Sequence, residues 1–157
     1  MKLVADLDKH KHAYLNGQII CVQVNNFVPL HFLVNTGSTY TTILGQDTFK
    51  LGINIKKLLR AKCWSDTAKG QLLPYELPNV KLRFEMNADS EESPVIIPLE
   101  FIQCLPPPKE LNRIHPLNLM FSYSLLGMDV LKFFKRWQYT DTTLTIETDQ
   151  EDVLPFS

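Results

Sequence analysis

Residues 32–43 read FLVNTGSTYTTI, and we expect the rest of the fold to be built around them. The three apolar residues at the start predict a buried strand, and the β-branched residues at the end predict another. Between them lies a small polar turn, Asn35-Thr36-Gly37-Ser38, in which glycine allows a positive φ or the close approach of another backbone. Hydroxyl groups on Thr36, Ser38 and Thr39 can bond loop amides, so the turn should be stiff and should present one polar side chain.

A second motif follows about 90 residues later and reads Leu125-Leu126-Gly127-Met128-Asp129-Val130-Leu131. Together with it, Val34-Asn35-Thr36-Gly37-Ser38-Thr39 resembles the Asp-Thr-Gly-Ser/Ala signature of retropepsin-like aspartic proteases. The later motif is similar to the family's second signature, in which two hydrophobic residues and a glycine open a short helix. The spacing suits the one-domain form of the family, whose active site is completed by a second identical chain. The resemblance extends from about Tyr14 to Ile146.

The resemblance implies an all-β fold: a closed β-barrel with a flap hairpin and one short C-terminal helix, assembled as a homodimer. It places Asn35 at the position of the family's catalytic Asp, with Thr36 and Gly37 bracing the loop and Ser38 able to bond near the catalytic group. The strand containing Leu126 and Gly127 is expected to pass behind this loop. The implied partners are a second copy of the chain and a peptide or protein substrate.

Asn35 is the one departure from the family pattern, and it falls on the residue that carries the chemistry. An amide has the shape of a carboxylic acid but does not gain or lose a proton near neutral pH, so an Asn/Asn dimer should bind peptide without cutting it. Two origins fit: replacement of a catalytic Asp, which the otherwise intact loop favours, or a natural non-catalytic relative that acts as a peptide-binding or scaffolding module. A third interpretation is a small β-barrel interaction domain in which residues 35–38 are only a turn.

A turn-rich stretch in the middle of the chain predicts a β-hairpin over 61–75. By resemblance it is the flap that folds over a bound peptide, and an ordinary surface hairpin is the alternative interpretation. Trp64 is the candidate flap aromatic, although a place in the core fits it equally well. The flap candidates are Trp64, Ser65, Asp66, Thr67, Ala68, Lys69 and Gly70.

Composition narrows the function classes further. The chain has 157 residues, 45% hydrophobic and 21% charged, as expected for one globular domain. A net charge of −1 gives no reason to expect nucleic acid or an anionic membrane as partner. No apolar run is long enough to span a bilayer and the first residues are charged too early for a signal peptide, so we expect a cytoplasmic protein. Three scattered cysteines, Cys21, Cys63 and Cys104, predict reduced thiols, with no metal site and no cofactor.

Local patterns outside the two motifs set the remaining expectations. We divide the chain into a flexible N-terminal segment (1–12), the domain that resembles the protease family (13–147) and an acidic tail (148–157). Asn16-Gly17 predicts a hairpin turn, because this dipeptide favours the two-residue turns that join antiparallel strands. Apolar spacing predicts a helix over 128–134, and the proline-rich stretch 106–118 is an irregular insertion.

Overall fold

The computed structural model describes residues 2–24, 27–61, 65–67, 70–84, 94–105 and 123–148. The predicted insertion at 106–118 and nearly all of the predicted acidic tail lie outside these residues. Within them the chain forms twelve strands, two short α-helices and one turn of 3-10 helix at Ile55–Lys57. The strands are β1 Lys2–Leu7, β2 Ala13–Ile20, β3 Leu30–Val34, β4 Thr42–Ile43, β5 Leu59–Arg60, β6 Ser65–Thr67, β7 Gly70–Leu72, β8 Tyr75–Phe84, β9 Val95–Cys104, β10 Ser124–Leu126, β11 Arg136–Tyr139 and β12 Thr143–Glu147. The helices are α1 Gly45–Lys50 and α2 Met128–Leu131.

Six strands close into a barrel. They follow one another in the order β2-β3-β10-β4-β9-β8, and β8 pairs again with β2. The sheet also continues from β2 through β1 and β12 to β11, while β5 adds to β8. The predicted all-β closed barrel is therefore confirmed.

The closure depends on β2, which pairs with β3 through residues 14–17 and with β8 through residues 17–20. Gly17 belongs to both ladders, so the predicted turn at Asn16-Gly17 is wrong. A Cβ on Gly17 would lie 3.0 Å from Cε1 of Phe84, which shows that glycine serves close packing here. The preference of Asn-Gly for a turn is outweighed by the hydrogen bonds of two strand ladders and by the packing of Gly17 against Phe84.

The N-terminal segment also differs from the prediction. Lys2–Leu7 is a strand that pairs with β12 from Lys2↔Glu147 to Asp6↔Thr143. Leu3 and Ala5 point into the core and are 2% and 1% exposed, whereas their neighbours are exposed. The flexible segment predicted at 1–12 is therefore wrong for residues 2–7, because alternate apolar side chains are buried against a distant strand.

The core is filled by alternate side chains of the barrel strands. In β8 the buried residues Val80, Leu82 and Phe84 alternate with Lys81 and Arg83, and this alternation of apolar and charged residues is typical of a strand with one solvated face. Opposite them, Phe32 of β3 packs edge-to-face on Phe84 with 6.4 Å between ring centroids. Strand β3, which leads to Asn35, is thus anchored in the core by its own Phe32 side chain.

The two helices are short and each has a local cause. In α1 the chain turns at Gly52, whose φ is 68°, and the amides of Gly52 and Ile53 bond to the carbonyls of Phe49 and Thr48. This is the terminating pattern that glycine favours. Asp47 and Gly52 favour a short helical turn in the sequence, and in the structure α1 begins two residues before Asp47, at Gly45. It is additional to the short C-terminal helix that the family resemblance implies.

Helix α2 ends at Leu131, three residues before the predicted end. After it, the amides of Phe133 and Phe134 donate to carbonyls three residues earlier, which is the spacing of a 3-10 turn. The amide of Lys135 then donates to the carbonyl of Glu147 in β12. The helix predicted over 128–134 therefore ends early, because the chain from Lys135 onward bonds to the sheet. No helix among the described residues is long and apolar enough to cross a membrane.

Candidate active site

The loop after β3 is built on the neighbouring strand β10. The two strands run parallel, with Leu126 opposite Val34, and the amide of Asn35 donates to the carbonyl of Leu126 at 3.0 Å. The turn closes when the amide of Ser38 donates to the carbonyl of Asn35 at 3.2 Å. Both signature motifs therefore meet at one point, as the sequence predicts.

The Asn35 side chain is fixed by its own loop. Its Oδ1 accepts a hydrogen bond from the amide of Gly37 at 2.9 Å, the short-range bond by which Asn and Asp commonly stabilise turns. Asn35 is half-buried, whereas Thr36 and Gly37 are exposed. The side chain is thus held in one orientation at a surface that remains open in the single chain.

Ser38 has a different partner from the one expected. Its Oγ donates to the carbonyl of Tyr40 at 2.8 Å, so it braces the far side of the loop and does not bond Asn35. The loop amide that does reach Asn35 belongs to Gly37. The stiffness predicted for the turn comes from these two separate bonds.

Gly127 allows β10 to lie against the loop. A Cβ at this position would be 2.6 Å from the carbonyl carbon of Tyr40 and 2.8 Å from the amide nitrogen of Thr41, both backbone atoms. Beyond it, the amide of Met128 donates to the carbonyl of Ser38 at 2.8 Å. Strand β10 and Gly127, the residue that follows it, therefore support the loop directly.

Thr41 and Asp129 join the two motifs, and neither was predicted as a site residue. Both Asp129 carboxylate oxygens lie 3.0 Å from the amide of Thr41, and Thr41 Oγ1 donates to Oδ1 at 2.7 Å. The same hydroxyl accepts from the amide of Gly127 at 3.1 Å. Thr41 is fully buried. The only sequence signal was an acidic residue in the first turn of the short helix, which does not name its partner.

Replacement of Thr41 by Val should destabilise the fold by about 2–4 kcal/mol. The change keeps the side-chain shape but removes a charged hydrogen bond and leaves the amide of Gly127 without its buried acceptor. Thr42→Val is the matched control: Thr42 Oγ1 makes one neutral bond, to the carbonyl of Tyr40, so we expect about 1 kcal/mol. Urea unfolding of both variants measures the difference. Equal decreases in the free energy of unfolding would show that the Thr41–Asp129 hydrogen bonds stabilise the fold no more than the single neutral bond of Thr42.

Comparison with solved structures identifies the fold. A crystal structure of a retropepsin-like aspartic protease from Rickettsia conorii is similar to this chain with a TM-score of 0.51. The match covers 93% of this chain and 90% of that chain, at 22% sequence identity. This chain has the retropepsin-like fold. No protein-family model matches the sequence, and no curated protein is significantly similar to it.

The retropepsin-like fold of this chain includes the predicted hairpin. Strands β6 and β7 pair antiparallel from Ser65↔Leu72 to Thr67↔Gly70, outside the barrel sheet. At its base, the guanidinium of Arg60 lies 4.0 Å from the centre of the Tyr75 ring and donates to the carbonyl of Leu73. The other flap candidates, Trp64, Ala68 and Lys69, lie outside the described residues.

Two of the three cysteines lie within the described residues, and neither forms a disulfide. Cys21 and Cys104 are both unpaired, and burial raises the pKa of Cys104 to about 12, so that this thiol stays protonated. Cys63 lies outside the described residues. Among those that are described, no group of three or more His, Cys, Asp or Glu side chains is placed to hold a metal ion.

Proposed function

We propose that this fold carries an aspartic-type endopeptidase site that is completed by a second copy of the chain. Asn35 occupies the position of the catalytic carboxylate, so the chain with Asn35 binds peptides and does not hydrolyse them. Ser65–Thr67 and Gly70–Leu72 form the flap over the peptide. A cytoplasmic location belongs to the same proposal.

The geometry around Asn35 is the observation that supports the proposal most directly. Asn35 follows strand β3 directly, its Oδ1 accepts from the amide of Gly37, and its backbone amide donates to the carbonyl of Leu126. An Asp side chain has the same shape and would accept the same bond, which favours its ionised form. The loop would therefore hold a carboxylate at this position without a change of shape.

The reaction needs two such groups close together. Two carboxylates at short distance cannot both ionise easily, so they share one proton. The ionised member then acts as general base on a water molecule, and the protonated member polarises the carbonyl of the peptide bond. A pair of Asn side chains provides neither step, because an amide neither accepts nor releases the proton.

A second candidate is a peptide-binding module whose native residue is Asn35. A cleft that binds peptide without hydrolysis needs the same loop shape, and this is the observation that supports the second candidate. The native codon for residue 35 separates the two origins. The activity itself is tested by incubating this chain and its Asn35→Asp variant with a mixed peptide pool. Cleavage by the variant alone supports the proposal, and cleavage by neither protein contradicts the endopeptidase assignment.

We expect this chain to form a homodimer at tens of micromolar concentration. Two apolar side chains beside the loop, Tyr40 and Met128, are 39% and 37% exposed in the single chain, and a second copy placed against the loop would cover them. Sedimentation velocity measures the association. Met128→Glu should shift the protein toward monomer, whereas Phe49→Glu, a change at an exposed apolar residue of α1, should not. A protein that stays monomeric throughout, or dimers equally weakened by both changes, would contradict a dimer formed at the loop.

A further inference from the structure

Three aromatic rings form a cluster on the outer face of β2, β3 and the start of β10. Tyr14 and His31 stack with 4.9 Å between centroids and only 7° between their planes. Tyr123 meets both edge-on, at 5.0 Å from Tyr14 and 5.3 Å from His31. The position of the His31 ring is set by Nδ1, which lies 2.6 Å from Oδ1 of Asn16. This aromatic cluster is therefore ordered before any ligand arrives.

The aromatic cluster borders a cavity of about 310 Å³ that is open to solvent on one side and has two carboxylates in its wall. Its described lining residues are Asp6, Leu7, Asp8, Tyr14, His31 and Tyr123. This volume is at the lower end of the range for small-ligand sites. There is no lysine or arginine among these lining residues. The cavity therefore combines aromatic walls with two carboxylates, of which Asp8 already accepts hydrogen bonds from its own loop and from Tyr14.

Asp8 is held in place within this wall. Its Oδ1 accepts from the amides of His10 and His12, and its Oδ2 accepts from the Tyr14 hydroxyl at 3.1 Å. The His12 amide is the main reason that the pKa of Asp8 lies below its ordinary value. The His12 ring, 3.4 Å from Oδ2, adds an ion pair only when it is protonated. Asp6 is exposed and lies near the end of β1, two residues before Asp8.

We propose that this cavity binds the guanidinium group of an arginine side chain presented by a peptide or a protein. A guanidinium is planar, stacks on aromatic faces and is recognised by carboxylates, which matches the stacked rings and the two acids. A lysine ammonium is a compact, strongly hydrated charge that uses a flat stack less well. The proposal does not depend on the proposed function, because Asn35 lies four residues beyond His31, roughly 13 Å along the strand.

A titration with N-acetyl-arginine amide tests the proposal. Backbone amide signals of the full chain are followed by ¹H–¹⁵N NMR while this probe is added. Saturable shifts centred on Asp6, Tyr14, His31 and Tyr123 are expected. The citrulline analogue is the matched ligand control, since it keeps the length and the flat end group but has no charge. Equal shifts with citrulline, or no saturable shift with arginine, would overturn the proposal.

Two variants assign the binding to the residues named. Asp6→Asn should weaken arginine binding about threefold to fivefold, as for an exposed ion pair, and Tyr123→Leu by a similar factor through the lost ring contact. Glu100→Gln removes the same charge from an exposed position on β9, which does not line the cavity, and should leave the affinity unchanged. Unchanged affinity in Asp6→Asn, with the protein still folded by NMR, would contradict the site. Equal weakening by Glu100→Gln would show that only net charge matters.

Discussion

Peptide hydrolysis over a limited acidic pH range is the expected result for the Asn35→Asp variant. Loss of general acid–base catalysis typically costs 10²- to 10⁴-fold, so the gain over the Asn35 protein should be at least about 100-fold. The restored pair works only while it holds a single proton, between its two macroscopic pKa values. Activity should therefore fall at high pH, when both groups ionise, and at low pH, when both are protonated. A fluorogenic peptide library scanned from about pH 3 to 8 gives the profile.

The controls test whether activity depends on a carboxylate at position 35 and not merely on an Asn→Asp change elsewhere in the chain. Asn54→Asp makes the same substitution at an exposed residue outside the loop and should produce no activity. A peptide-like inhibitor with a hydroxyl in place of the attacked carbonyl should suppress cleavage, because the hydroxyl takes the position of the water. Metal chelators and cysteine-directed reagents should have no effect. A folded and dimeric Asn35→Asp protein that is inactive at every pH would rule out the endopeptidase and favour the peptide-binding module.

Gly127→Val should prevent stable folding or assembly. Even the first added carbon would lie 2.6 Å from backbone atoms of the Tyr40 carbonyl, and backbone held between two strands cannot move away as a side chain can. Overpacking of this kind costs about 3 kcal/mol or more. The bonds from the loop to Leu126, Gly127 and Met128 would also lengthen. Urea unfolding and sedimentation of the purified variant provide the measurements.

Gly37→Ala is the comparison for this loss of stability. A Cβ on Gly37 would approach only Oδ1 of Asn35, at 3.2 Å, which is the end of a side chain. We expect its unfolding midpoint to stay close to that of the parent protein. If Gly127→Val were as stable as Gly37→Ala and associated as well, the support of the loop by β10 would not limit folding.

Local signals were sufficient for the signature loop and for the alternating strands. Phe32 to Ser38 and Val80 to Phe84 carry their own patterns, and a glycine in the Leu-Leu-Gly motif requires a close backbone neighbour. These features depend on a few consecutive residues. They were therefore predictable without knowledge of the partner strands.

Features that depend on distant residues were not predictable in this way. Gly17 looked like a turn residue because its second ladder, with β8, is more than sixty residues away in the chain. Likewise, the bond between Thr41 and Asp129 joins positions 88 residues apart. Short-range preference gives no information on either partner. The site loop was thus predictable, but the network that holds it was not.

The pairing of β1 with β12 has a consequence for how the protein reaches this structure. Lys2 leaves the ribosome long before Glu147, so β1 has no ladder with β12 until most of the domain has been synthesised. Contacts this distant in sequence form slowly, because the chain loses the entropy of loop closure before the contact contributes any stabilising free energy. During that interval β1 presents an unpaired edge to other chains. Before β12 is synthesised, the edge of β1 that it will cover is therefore open to pairing with other chains, which favours aggregation.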